Sequence, residues 1–200
     1  MGDDFDLILA SSSPRRRDLL RDAGIPFRVL APGADEASRP GETPGEHAER
    51  NARSKAEWVA GHLPADCGPT TVLSADTIVA LGGMILEKPL DADDARDMLA
   101  TLSGQTHCVC TGVCIMTGRP EVDWSMRSFV EQTRVTFRPL SADEIAAYVS
   151  TGEPFDKAGA YAIQDGGAAF VSGVDGSYSN VVGLPMERVV AELRAEERKG

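Results

Sequence analysis

Apolar residues along the chain follow two rhythms. Alternating or continuous apolar runs at 5–10, 70–81, 84–88, 105–116, 127–138 and 167–174 predict strands. Apolar positions at three- and four-residue spacing over 14–23, 46–62, 91–102, 141–150 and 185–198 predict helices. The punctuation agrees: Ser13 and Pro14 open the first helix, Asp91 the third, a Ser141/Glu144 capping box the fourth and Pro185 the last. Strands alternating with helices, plus a few hairpins, imply an α/β fold on a mixed sheet. No internal repeat is present, and the Pro-, Gly- and acid-rich segment 31–46 reads as a loop that covers something. One domain over residues 1–200 is expected.

Two of these elements carry unusual residues. Gly82-Gly83 is a two-residue hairpin signal that pairs Leu81 with Met84, Ala80 with Ile85, Val79 with Leu86 and Ile78 with Glu87. Asp76 and Glu87 then share a face with aliphatic neighbours, about 7–8 Å apart at the backbone. Like charges on an apolar face are costly, so that face should hold a divalent cation or lysines, or carry an altered pKa. In the helix at 46–62 the inward stripe is 48, 51, 52, 55, 56, 59 and 63, and it contains Asn51 and Lys55. A lysine there either snorkels to water or aims at an internal anion; the company of Asp76, Glu87 and Lys88 favours the second.

Composition narrows the function classes. At 42% hydrophobic, 26% charged and a net charge of −11, the chain is an ordinary globular protein whose charge opposes a general nucleic-acid or anionic-membrane role. The lack of an eighteen-residue apolar run or a leader at Met1 leads us to expect a cytoplasmic protein. Cys108, Cys110 and Cys114 should share one strand face as small buried hydrophobes rather than bind zinc, while Cys67 stands in a loop.

A local basic pocket is compatible with that acidity. The stretch ASSSPRRRDLL, residues 10–20, puts Ser11, Ser12 and Ser13, free backbone N–H groups and then Arg15 and Arg16 at a helix start, where the helix dipole favours an anion. It lacks the GxxxxGK[ST] of a P-loop, so a phosphate receptor and a solvated basic helix end both fit. Residues 152–185 are Gly-rich, with Lys157, Tyr161, Gln164, Ser177, Tyr178 and Asn180 interspersed, as in a wall that approaches a ligand closely. The Gln164 amide can donate and accept, which suits a nucleobase edge.

The motifs Ala10-Ser11-x-Ser13-Pro14-Arg15-Arg16, Ala75-Asp76-Thr77-Ile78-Val79, Leu86-Glu87-Lys88-Pro89, Leu102-Ser103-Gly104-Gln105-Thr106-His107, Asp156-Lys157-Ala158-Gly159-Ala160-Tyr161 and Gly183-Leu184-Pro185 occur in that order. Together they resemble the Maf family of nucleoside triphosphate pyrophosphatases over nearly the whole chain. The resemblance implies a two-lobed α/β fold with an elongated mixed sheet flanked by helices and a central cleft, similar to the inosine triphosphatase-like architecture. It implies hydrolysis of a nucleoside triphosphate to the monophosphate and pyrophosphate with a divalent metal, Mg²⁺ or Mn²⁺, and it admits a homodimer. It assigns Asp76 as proton acceptor, links Arg15, Thr77 and Gln164 to substrate choice, and points to Glu36 as the acidic residue of the loop after the first helix. The wall sequence is similar to that of the branch acting on dTTP and UTP, with Asp165 standing where glycine is common.

On this reading Ser11, Ser13, Arg15 and Arg16 hold phosphate oxygens, Lys55 and Lys88 neutralise developing charge, and Glu36, Asp76 and Glu87 bind the metal. The competing expectations are a non-catalytic nucleotide-binding regulator of division, a phosphatase removing the γ-phosphate, and a pyrophosphatase for another nucleotide such as 7-methyl-GTP or CTP.

Overall fold

In the computed structural model, which describes residues 6–34, 37 and 39–197, neighbouring positions of the first strand face opposite ways. Strand β1 (Asp6–Ala10) sends Leu7 and Leu9 into a cluster with Leu20, Leu73, Leu184 and Val189, and Ile8 and Ala10 into another with Ala52, Ala56 and Val72. Helices therefore cover both faces, as a strand apolar on both sides requires. Helices α1 (Pro14–Asp22) and α6 (Met186–Glu197) pack on one face and α2 (Pro44–Ala60) on the other. A third cluster, built on Leu99 and Leu102 of α3 (Ala92–Leu102) and Ile145 and Tyr148 of α4 (Ala142–Ser150), fills the far end around Val109, Val135 and Phe137.

Among the described residues the sheet has seven strands. Their order is β2 (Arg28–Val29), β1, β3 (Thr70–Leu81), β5 (Thr106–Gly118), β6 (Trp124–Phe137) and β7 (Val171–Asp175), with β4 (Met84–Leu86) paired to β3. The β2–β1 and β1–β3 pairs are parallel and the others antiparallel, so the mixed sheet flanked by helices is as expected. The order also opens a crevice. One flank of β3 is paired with β1 through residues 70–74 and with β4 through 79–81, while the other is paired with β5 almost throughout. Residues 75–78, including Asp76, face the gap just past the carboxyl end of β1, the kind of position where α/β sheets bind ligands.

Several boundaries differ from the sequence reading. The hairpin register is as predicted through Val79↔Leu86, but Ile78↔Glu87 does not form. The Glu87 carbonyl accepts from the Gly159 N–H at 3.1 Å instead, and Pro89 has no N–H to continue a ladder. Helix α2 starts at Pro44 because Thr43 and Glu46 form a capping box. The strand predicted over 167–174 begins only at Val171; Gly166–Phe170 is a 3-10 turn whose first two N–H groups go to the Glu153 carboxylate. Strand β2 and the five-residue helix α5 (Tyr178–Val182) were not expected. Among the described residues, no helix is long and apolar enough to cross a membrane.

Candidate active site

Helix α2 buries Ala48, Asn51, Ala52, Lys55, Ala56 and Val59, the predicted stripe, with Leu63 partly buried just beyond its end. Two polar members of that stripe meet the one carboxylate on the facing strand. Lys55 Nζ donates to Asp76 Oδ1 at 2.6 Å, and Asn51 Nδ2 donates to Asp76 Oδ2 at 3.0 Å. The Lys55 and Asp76 side chains are only 7% and 11% exposed. Of the options raised for this face, the structure thus supplies a lysine. Burial by itself would raise the Asp76 carboxyl, but the charges of Lys55 and Arg16 and the two hydrogen bonds outweigh it and hold it below the ordinary 3.8. Asp76 is therefore a carboxylate at neutral pH.

Arg16, in the first turn of α1, spans the crevice. Its Nε donates to the Gly183 carbonyl at 2.8 Å, while its terminal nitrogens donate to Thr77 Oγ1 at 3.0 Å and Ser11 Oγ at 3.3 Å. These bonds tie the β1–α1 turn to β3 and to the end of α5, so Arg16 shapes the site besides facing it. Ser11 is buried and its oxygen also takes the Ser13 N–H at 3.1 Å. Ser13 stands at the N-cap of α1 but makes no capping bond with its own hydroxyl. Arg15 lines the same cavity and makes no side-chain hydrogen bond or ion pair among the described residues.

The cavity over the crevice measures about 880 Å³, large enough for a nucleoside triphosphate. Among the described residues its cationic lining is Arg15, Arg16, Lys55, Lys88 and Lys157, against the carboxylates Asp76, Glu87 and Asp156. That excess of cations is local, since the whole chain carries −11. Ser11, Ser13, Thr77 and Gln164 line the cavity as well, so the described candidates from the sequence come together in one place. Glu36 lies outside the described residues. Glu87 is exposed on the rim and does not share a buried strand face with Asp76, because β4 ends one residue earlier. Asp165 is exposed and outside the cavity lining, while Gln164 is part of it.

The far wall is supported by Lys157, which the sequence placed in the ligand-facing wall, and by Asp156 and Glu153, to which it gave no role in the site. Lys157 is buried and donates to the Glu153 carbonyl at 2.7 Å and to Asp156 Oδ1 at 2.6 Å. The Asp156 carboxyl, which burial pushes up, is brought below its ordinary value by Lys157 and, more weakly, Arg15. Glu153 takes the Tyr148 hydroxyl at 2.6 Å and the Gly166 N–H at 3.1 Å, which fixes the turn just after Gln164. The only sequence signal was the Gly-rich DKAG stretch, since Glu153 reaches its partners across a fold and not along an element. His107 is structural: its Nε2 meets the Tyr161 hydroxyl at 2.8 Å, and burial holds the ring near a pKa of about 4, hence neutral.

No group of three or more His, Cys, Asp or Glu side chains able to hold a metal gathers among the described residues. Mg²⁺ needs less from the protein, since it is commonly held by one or two carboxylates with water and substrate phosphates completing the shell. Asp76 and Glu87, hard oxygen donors lining one cavity, fit that partial role.

Comparison with known proteins gives concordant results. A family model described as Maf-like protein matches residues 6–196. A dTTP/UTP pyrophosphatase from Pelotomaculum thermopropionicum is 47% identical over 189 residues, covering 94% of this chain and 95% of its own. Proteins of the same name from Anaeromyxobacter sp. and Myxococcus xanthus are each 50% identical, covering 95% and 97% of this chain and 89% and 92% of theirs.

Proposed function

The chain belongs to the Maf family, and from this we propose that it hydrolyses dTTP and UTP to the nucleoside monophosphate and pyrophosphate, as the names of its relatives describe for them. The observation that carries this reading is the buried Asp76–Lys55 pair beneath a cation-lined cavity in an otherwise acidic protein.

In this reading the triphosphate lies along the crevice with its charge facing Arg15, the N-terminus of α1, Lys88 and Lys157. Ground-state charge is then met by fixed donors, and Lys88 at the rim stabilises the negative charge that gathers on the departing pyrophosphate. Asp76 accepts a hydrogen bond from the attacking water and holds it in line with the α-phosphorus. Its depressed pKa makes it a weak base for water in the ground state, so the proton moves only as the new P–O bond forms and the water becomes acidic. Lys55 keeps Asp76 ionised and Asn51 fixes its rotation. Asp76 and Glu87 are the described residues that would hold Mg²⁺ or Mn²⁺, which when bound neutralises phosphate charge and lowers the pKa of a coordinated water. Gln164 presents an amide donor and acceptor, which complement the O4 and N3–H edge shared by uracil and thymine.

The point of attack is directly testable. Hydrolysis of dTTP in ¹⁸O-labelled water should place the label in the monophosphate, read by mass spectrometry. Label in the pyrophosphate, or in orthophosphate released from the γ-position, would overturn attack at the α-phosphorus.

A further inference from the structure

A second cavity, of about 420 Å³, is lined by Cys108, Cys110, Gln132, Arg134 and the start of α2. In the β3–β5 register Asp76, Ile78 and Ala80 oppose Gly112, Cys110 and Cys108, so both thiols lie on the sheet face that carries Asp76. Cys114 is on that face too but is walled off. A Cβ at Gly112 would lie 2.3 Å from the Ala48 backbone, which means that α2 crosses β5 in contact there and separates Cys114 from the other two. Cys110 is buried, Cys108 is half-buried, and their Sγ atoms stand 3.5 Å apart.

The placement bears on what these thiols can do. Residues i and i+2 of a strand sit about 6.6 Å apart, at the far end of the roughly 4.4–6.8 Å range that a disulfide spans. A direct S–S bond would therefore strain the strand. An ion bridging two sulfurs needs them about 4 Å apart, given metal–sulfur bonds of about 2.3 Å, and the pair is already close to that. Zinc closes its structural sites with four ligands, whereas no third His, Cys, Asp or Glu joins these two among the described residues. We propose that Cys108 and Cys110 form a two-thiolate site for a soft monovalent cation of the Cu(I) class, with Arg134 at its edge.

The electrostatics suit that occupant. Arg134 stands opposite Cys108 in the β5–β6 ladder, where its charge favours the thiolate form, and the two sulfurs share a hydrogen bond. Binding of Cu⁺ to the two thiols forms a bis-thiolate complex and releases their two protons to solvent; no electron is transferred. The complex carries one negative charge beside the Arg134 guanidinium, which also donates to Asp175 Oδ2. The site is independent of the nucleotide reading and stands or falls separately from it.

The test is an anaerobic titration of the reduced full-length chain with Cu(I) against bicinchoninate as competing chelator. The unaltered chain and Cys67→Ser should retain one Cu(I) per chain, and Cys108→Ser and Cys110→Ala should bind at least tenfold more weakly. In the unaltered chain, bound Cu(I) should also protect Cys108 from iodoacetamide while Cys67 still reacts, a readout that needs no variant to fold. Equal retention by Cys108→Ser, no retention by the unaltered chain, or alkylation of Cys108 unaffected by Cu(I) would overturn the proposal.

Discussion

Asp76→Asn should lower kcat for dTTP by about 10³-fold, within the range expected when a positioned proton acceptor is lost, while leaving the fold in place. Asparagine keeps an oxygen to which Lys55 can donate, so the contact between α2 and β3 survives and the melting temperature should stay within a few degrees. Affinity for α,β-imido-dTTP in EDTA, where the metal-holding role of Asp76 does not enter, should be unchanged or higher, because one negative charge facing the triphosphate is gone. Calorimetric titration with that analogue and steady-state kinetics separate the two effects. Activity within threefold of the unaltered protein would remove Asp76 from the reaction.

Lys55→Met should do the opposite to stability. It leaves the Asp76 charge buried without its closest cation, a change that costs about 3–5 kcal/mol in a closed interior. Here the crevice admits water, so about 3 kcal/mol is expected in chemical denaturation. The pH dependence gives the sharper signature. The Asp76 carboxyl lies below 3.8 in the folded protein, so the pair contributes stability above that pH and loses it as pH falls through the folded value. Without Lys55, burial becomes the leading influence and moves the carboxyl up. The acid limb of kcat/KM should then move to higher pH, and stability should climb less between pH 3 and 5 than in the unaltered chain, the remaining climb coming from other depressed carboxyls such as Glu42 and Glu144. An acid limb unmoved in Lys55→Met would mean that another group sets it.

The fold was legible where burial writes a period. Helix α2 was legible because six of its positions, 48, 51, 52, 55, 56 and 59, obey one inward spacing, and β3 was bounded correctly at 70–81 by its apolar run and the Gly82-Gly83 turn. Short elements were not legible: β2 has two exposed residues, α5 has five, and neither is long enough to show a rhythm. The 3-10 turn at Gly166–Phe170 depends on Glu153, thirteen residues upstream of Gly166, and local propensity carries no trace of that bond. The site divides the same way. Asp76 and Lys55 announced themselves as charges at core positions. Glu87 was misplaced because strict alternation was extended past the point where Gly159 captures its carbonyl. Arg16 could be read as awaiting an anion, but not as the brace between Ser11, Thr77 and Gly183, since Gly183 lies 167 residues away.

The central claim is that this cavity splits the α–β bond of a pyrimidine nucleoside triphosphate. Its most direct measurement is to incubate the protein with dTTP, UTP, CTP, GTP or 7-methyl-GTP, in Mg²⁺ or in EDTA, and to resolve the products by anion-exchange chromatography. The expected result is Mg²⁺-dependent monophosphate and pyrophosphate in equal amounts, fastest from dTTP and UTP. Nucleoside diphosphate with orthophosphate, or tight binding of dTTP and UTP with no turnover, would contradict it.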